Sequence, residues 1–201
     1  MALDYLRWSV KNTKEKVAVI IADELDIVNF EVFSSYSFNK SRKRAERERE
    51  RFRKIFERAR SKLPKEDQNK VRIYKWKEVR ESKYYEEIYK YLLESYKQMS
   101  EFRSGVLFFV KKYVRRRRKL KVLRDQKKLD KLATYILGEL PTLLQGIYLD
   151  GVHYDLCIYP TYFASGMSQF VTDIFERELD ISKELLGKLK RRAYLVEVWL
   201  D

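Results

Sequence analysis

Residues 16–22 read KVAVIIA, an apolar and largely β-branched run with no polar residue after Lys16. A run this short cannot be an ordinary helix, and its lack of alternation marks a strand covered on both faces, the pattern of a parallel sheet. The elements around it fit that reading. Upstream, residues 3–11 read as a short helix. Downstream, Ser37 is placed to cap a long charged helix that reaches about Lys62 and is closed by Pro64. Residues 71–76 alternate as a second strand, and residues 77–100 form a long tyrosine-rich helix. Residues 102–114 suit either a strand or a buried helix. Residues 129–140 are helical and are expected to stop at Pro141, and residues 152–159 form a strand ended by Pro160. Residues 165–178 and 181–191 are helical, and 193–200 is a last strand. Strands interleaved with helices imply an α/β fold with a mostly parallel sheet and helices on both faces.

The 201 residues include only 6 glycines and 3 prolines, so residues 1–201 are expected to form a single domain. The longest apolar runs, 17–22 and 105–110, fall far short of the roughly 20 residues of a spanning helix. MALDYLRWSV at the N-terminus has no signal-type apolar region. Cys157 is the only cysteine and reads as a core residue, so a cytoplasmic location is the default. His153 is the only histidine and reads as a satisfied strand residue; a metal cluster or a Ser-His-Asp triad needs more. No metal, no cofactor and no membrane partner is expected, and the chain is expected to be a monomer.

The formal net charge is +14, with 44 basic residues against 30 acidic ones. A surface merely rich in charge would raise both signs together; this excess favours a polyanionic partner bound through phosphate contacts. Its centre is the helix after Ser37. At 100° per residue, Ala45, Phe52, Ile55, Phe56, Ala59 and Leu63 form one apolar stripe. Arg47, Arg51, Lys54 and Arg58 form a basic ridge on one flank, extended by Lys40 and Lys43. Arg42, Arg49, Arg53 and Arg60 form a second ridge, while Glu46, Glu50 and Glu57 gather on the opposite face. A solvated salt-bridged helix would mix signs on each flank. Segregated ridges suit a phosphate backbone. A second cationic run, including Arg115, Arg116, Arg117 and Arg118, should border a solvent-exposed loop. The tyrosines at 84, 85, 89, 91 and 96 are expected to be packing residues for the most part.

Three segments in order resemble one family. They are VAVIIADE followed by SYSFNKSRKRAERERERFRKIFERAR, then LATYILGELPTLL, then VHYDLCIYP. Together they resemble tRNA-dependent cyclodipeptide synthases. The resemblance implies a Rossmann-like domain similar to the catalytic domain of class I aminoacyl-tRNA synthetases. It also implies an aminoacyltransferase that joins the aminoacyl groups of two aminoacyl-tRNAs into a cyclic dipeptide. In that reaction a serine first accepts an aminoacyl group, a second aminoacyl-tRNA then reacts, and the dipeptide closes. Such chemistry needs no ATP, because the ester arrives activated, and the sequence contains neither GxxxxGK[ST] nor GxGxxG. The alternative is a non-catalytic module that binds tRNA or aminoacyl-tRNA.

The family's Y-x-x-x-E motif falls on Tyr135 and Glu139. Spacing of four puts both on one helix face. A carboxylate there suits the α-ammonium of an aminoacyl group, and a phenol beside it can orient the amine or relay a proton. Tyr159 matches a further catalytic tyrosine, and Tyr159-Pro160 resembles the Tyr-Pro subgroup. The family's nucleophilic serine lies in a motif similar to G-x-S-x-x-N-S-Y-F-S at the end of a first strand, ahead of a helix that corresponds to residues 3–11 here. The expectation is therefore that the serine and its strand would lie before Met1. A shortened chain, a natural variant that binds without cyclising, or a partner that supplies the strand would each account for that. Ser34, Ser35 and Ser37 resemble the motif superficially but follow the strand, and Ser9 lies inside the first helix.

Overall fold

The computed structural model describes residues 1–13, 16–160, 170–176, 180–189 and 192–198; for 157–160 and 195–198 it describes the backbone alone. The chain opens with α1 (Ala2–Asn12), β1 (Val17–Ile21), α2 (Asp23–Ser34), α3 (Phe38–Arg60), α4 (Lys65–Lys70) and β2 (Val71–Lys75). It continues with α5 (Trp76–Arg80), α6 (Tyr85–Gln98), α7 (Ser100–Arg116), a 3-10 turn (Leu120–Arg124) and α8 (Gln126–Gln145). Then follow β3 (Ile147–Leu149), β4 (Val152–Tyr154), β5 (Leu156–Pro160), α9 (170–175), α10 (Ser182–Lys188) and β6 (Tyr194–Val198). The expected α/β class is found: β1 pairs with β2 and β5 with β6, both parallel.

The KVAVIIA run is β1, in register Val17↔Val71 through Ile21↔Lys75. Its ends are buried and its three middle residues only half-buried. Among the described strands β2 is its sole neighbour, so its other edge is open. The central core lies beyond the sheet, where α2, α6, α7, α8, α9 and α10 bury residues such as Val32, Leu92, Phe102, Leu137 and Phe170. Two smaller clusters cover the strands. One joins Tyr74, Trp76 and Tyr85 to Ile147 and Leu149. The other joins α1 and the end of α3 to Val17 and Val71.

Several expectations about elements need correction. The helix expected over 77–100 is two, α5 and α6, broken at Ser82–Tyr84, where Tyr84 takes φ +71°. The ambiguous stretch 102–114 is helical, within α7. α8 does not stop at Pro141 but runs to Gln145. Proline removes one backbone bond, yet every residue from Ile136 to Gln145 is buried, and that packing outweighs the loss. The helix ends where Gly146 takes φ +72°. A Cβ there would sit 2.2 Å from the Tyr154 carbonyl oxygen, so only glycine fits. The strand expected over 152–159 is two, β4 and β5. β4 returns against β3 as an antiparallel hairpin through Asp150 and Gly151, both with positive φ. Asp-Gly between short apolar runs is the usual signal for such a turn. α2 also went unassigned from sequence. The hairpin likewise has no counterpart among the expected elements, and of the helices and strand expected over 165–178, 181–191 and 193–200, residues 165–169, 177–178, 190–191 and 199–200 lie outside the described residues.

Candidate functional site

The open edge of β1 forms one wall of a cavity of about 560 Å³. Consecutive residues, Val17 to Ile20, line it, as do Val152 to Leu156 on the far side. In a strand, side chains alternate between faces. A run of consecutive residues along a wall therefore means that the strand's backbone edge faces the space. α1 contributes Tyr5 and Ser9, and α8 contributes Glu139, Thr142 and Leu143. The β5–β6 pair is fastened to the same helix: Ala193 N–H donates to the Leu144 carbonyl at 2.9 Å.

Glu139 is 8% exposed, a carboxylate held against this cavity. Tyr135 stands one turn earlier on α8, half-buried between the two larger core clusters. The spacing of four does place the two on neighbouring turns, but of the two it is Glu139 that lines the cavity. Tyr159 lies in β5, paired with Glu197, and its side chain is outside the described residues, as is that of Cys157. His153, half-buried in β4, also lines the cavity. Its Nε2 lies 2.8 Å from the Gln145 carbonyl, which can only accept, so Nε2 is the donor of that bond. Ser9 reaches the cavity wall, but its hydroxyl donates to the Tyr5 carbonyl at 2.7 Å. Ser34 and Ser35 close α2, and Ser37 sits at the N-cap of α3 with no side-chain capping bond.

α3 is set against the C-terminal end of β1 by Asp23. One oxygen of Asp23 accepts from Trp76 N–H at 3.3 Å, and the other pairs with Arg49 at 3.1 Å. The expected apolar stripe is only partly covered. Ala45, Ala59 and Leu63 are buried, whereas Phe52 and Ile55 are 44% and 39% exposed. The helix is covered near both ends and tied at Arg49, and residues 51–55 are exposed.

The two basic ridges differ in a way their sequence does not show. In the second, Arg42 pairs with Glu46, Arg49 with Asp23 and Glu50, and Arg53 with Glu57, while Arg60 has no ion pair among the described residues. In the first, Arg51 reaches Glu48 only at 3.5 Å, and among the described residues Lys43, Arg47, Lys54 and Arg58 have no ion pair. These five line a shallow groove along the helix. Lys40 lies over the Tyr36 ring at 4.0 Å. Arg115 to Arg118 are all exposed at the end of α7 and the loop beyond, as expected. Of the tyrosines at 84–96, Tyr85 and Tyr96 are buried and the others half-buried, in line with packing.

Comparison with known proteins accounts for this arrangement. The sequence matches the family model for cyclodipeptide synthases over residues 2–182. A search of curated protein sequences finds no match. Among solved structures, a cyclodipeptide synthase from Bacillus thermoamylovorans superposes with a TM-score of 0.70 at 22% identity, covering 90% of this chain and 75% of that one. One from Staphylococcus haemolyticus gives 0.64 at 21%, covering 89% and 76%. One from Streptomyces noursei gives 0.64 at 15%, covering 98% and 87%. The parallel strand pairs and their helices are the Rossmann-like fold of these neighbours. The chain belongs to the cyclodipeptide synthase family, whose general activity is cyclodipeptide synthesis from aminoacyl-tRNAs. Among the described residues, no group of His, Cys, Asp and Glu is arranged to hold a metal ion, and no helix is long and apolar enough to cross a membrane.

Proposed function

We propose that this chain, acting as one domain, uses the cavity beside β1 as the aminoacyl site of a cyclodipeptide synthase of the Tyr-Pro type. The observation that carries the reading is Glu139, a buried carboxylate on the wall of a cavity large enough for a dipeptide. Its charge would hold the α-ammonium of an aminoacyl group through a charge-assisted hydrogen bond, with Tyr135 and Tyr159 assisting. The 3′ end of the tRNA would arrive along α3, where Lys40, Lys43, Arg47, Arg51, Lys54 and Arg58 face phosphate, with Arg115–Arg118 as a second contact surface.

The covalent route is the family's. A serine hydroxyl attacks the ester carbonyl and the tRNA 3′-oxygen leaves with the proton, giving an aminoacyl-serine. The amine of the aminoacyl-serine attacks the ester carbonyl of a second aminoacyl-tRNA, whose 3′-oxygen leaves as the hydroxyl, and the free amine of the resulting dipeptidyl-serine then attacks the serine ester, closing the ring and returning the serine hydroxyl. Residues 1–201 contain no G-x-S-x-x-N-S-Y stretch. We place the serine on an extended segment seated between the open edge of β1 and residues 152–156. A second reading is a module that binds aminoacyl-tRNA without turnover, carried by the cationic ridge of α3 alone.

Radiolabelled aminoacyl-tRNAs separate the two. Diketopiperazine, with label retained on the denatured protein, is the result expected of an enzyme. Its production should fall at least about a hundredfold in Glu139→Gln, the range typical for loss of a positioned catalytic group. Tight aminoacyl-tRNA binding with neither label nor product, even when a serine-bearing segment is supplied, would establish the module instead. Label abolished by Ser37→Ala would place the nucleophile at the start of α3.

A further inference from the structure

Tyr113, on the last turns of α7, was not singled out by the sequence, and it has three planar neighbours. The Phe33 ring meets it edge-on at 5.6 Å between centroids. The Tyr135 ring lies nearly parallel, 9° between planes and 6.1 Å between centroids. The guanidinium carbon of Arg117, one turn further along, stands 5.3 Å from its centroid. The result is a column: Arg117, then Tyr113, then Tyr135, then Glu139 one turn along α8. Its outer end belongs to the exposed cations at 115–118, and its inner end adjoins the cavity.

Neighbouring contacts hold the column still. Phe33 on α2 closes the edge of the Tyr113 ring. Arg117 comes from the same helix, so its reach is fixed by the helical turn. A tyrosine ring has two torsions to fix, and a parallel neighbour restricts the one that tilts its plane. We propose that Tyr113 is a positioning residue that orients the Tyr135 ring beside Glu139 and, through Arg117, ties the aminoacyl site to the cationic surface that meets RNA. This rests on the reading of Tyr135 and Glu139 as the amino-group site. In consequence, a phosphate drawn to Arg117 shifts a guanidinium that is stacked on the column, so RNA contact and amino-group capture are coupled. The Tyr113 hydroxyl bonds the Arg117 side chain, whereas its ring face carries the contact with Tyr135, so a phenylalanine keeps the contact that orients Tyr135.

The test is equilibrium binding of one aminoacyl-tRNA and of the same tRNA deacylated, to the full chain. The ratio of the two affinities measures capture of the aminoacyl group. Deacylated affinity reports RNA contact and an intact fold. Tyr113→Leu should lower the ratio about five- to tenfold, the loss of one aromatic stacking contact, while deacylated tRNA binds as before. Tyr113→Phe should restore the ratio, which a purely structural role for the hydroxyl would not allow. Arg117→Leu should lower both the ratio and the deacylated affinity, whereas Arg115→Leu should lower only the affinity. Glu139→Gln should abolish the ratio. A ratio unchanged in Tyr113→Leu but abolished in Glu139→Gln overturns the positioning role alone. Failure of Tyr113→Phe to rescue overturns it as well. A ratio already near one in the unaltered chain overturns the amino-group reading, and this proposal with it.

Discussion

Asp26 illustrates how much a single carboxyl can reveal. It lies half-buried on α2, where the Asn29 amide donates to it at 3.0 Å. Burial pushes its carboxyl above the usual aspartate range; the Asn29 bond and the charge of Arg117 from α7 pull it back, and Asp23 and Glu48 push it further up. A carboxyl raised in the folded state holds its proton to higher pH than in the unfolded chain. Its contribution is therefore most favourable below the unfolded pKa and is lost as pH rises through the folded one. Above that window the ionised group weakens the fold. Asp26→Asn, which keeps an acceptor for Asn29, should raise the melting temperature at pH 7 by about 2–4 °C, the shift that ~1 kcal/mol produces in a chain of this size. At pH 4 the two chains should melt alike. Thermal unfolding at both values checks this, and a variant less stable at pH 7 would mean that the Arg117 attraction outweighs burial.

At the scale of elements, the prediction concerns α3. Its ridges look equivalent in sequence, yet Arg42, Arg49 and Arg53 are engaged by acids while Arg47, Lys54 and Arg58 are not. An engaged guanidinium must first give up its carboxylate before it meets phosphate, so the two ridges should differ in tRNA affinity. Arg47, Lys54 and Arg58 changed together to Ala should flatten the slope of log K against log salt by about one per lost phosphate contact, up to about three. Arg42→Ala with Arg53→Ala should change it by less than one. Filter binding across a salt series decides, and equal effects would reject the distinction. The same helix marks what sequence could and could not reveal. Periodicity placed α3 and its two ridges, because a helix fixes angular positions. It did not show that Phe52 and Ile55 would stay outside, since that depends on what packs against the helix. Pro141 misled for a related reason: local geometry argues for a stop, and burial on every side of α8 overrides it. The Asp150-Gly151 turn, by contrast, carries a local signal, since Asp-Gly between short apolar runs suits the positive φ that both residues adopt. Glu139 was found through a motif, whereas Tyr113, with five elements between it and its partner Phe33 in the chain, has no local signature at all.

For the whole molecule, the question is what the cavity between the two parallel strand pairs is shaped to hold. Residues 17–20 on one side and 152–156 on the other present consecutive backbone, so the space between is bordered by open hydrogen-bonding edges as well as by side chains. Unpaired backbone groups next to an apolar cavity are costly unless water or another strand satisfies them. An extended segment pairing with β1 would satisfy them and complete a sheet running from β2 through β1. It would also set its own side chains opposite Glu139, where an aminoacyl-serine would have to form. Two measurements on the same samples test this. In the chain of residues 1–201, the amides of β1 that point away from β2 should exchange with deuterium fast, and those bonded to β2 slowly. In a chain that carries a serine-bearing extended segment, the fast set should become protected, by a factor of at least about a hundred if each new bond and its burial contribute a few kcal/mol together. Protection should appear together with covalent aminoacylation, and changing that serine to alanine should remove the label and leave the protection. Fast exchange that persists with the segment present would mean that the serine reaches the cavity by another path. Slow exchange throughout β1 in residues 1–201 would mean that the edge is already paired and the cavity is closed to a strand.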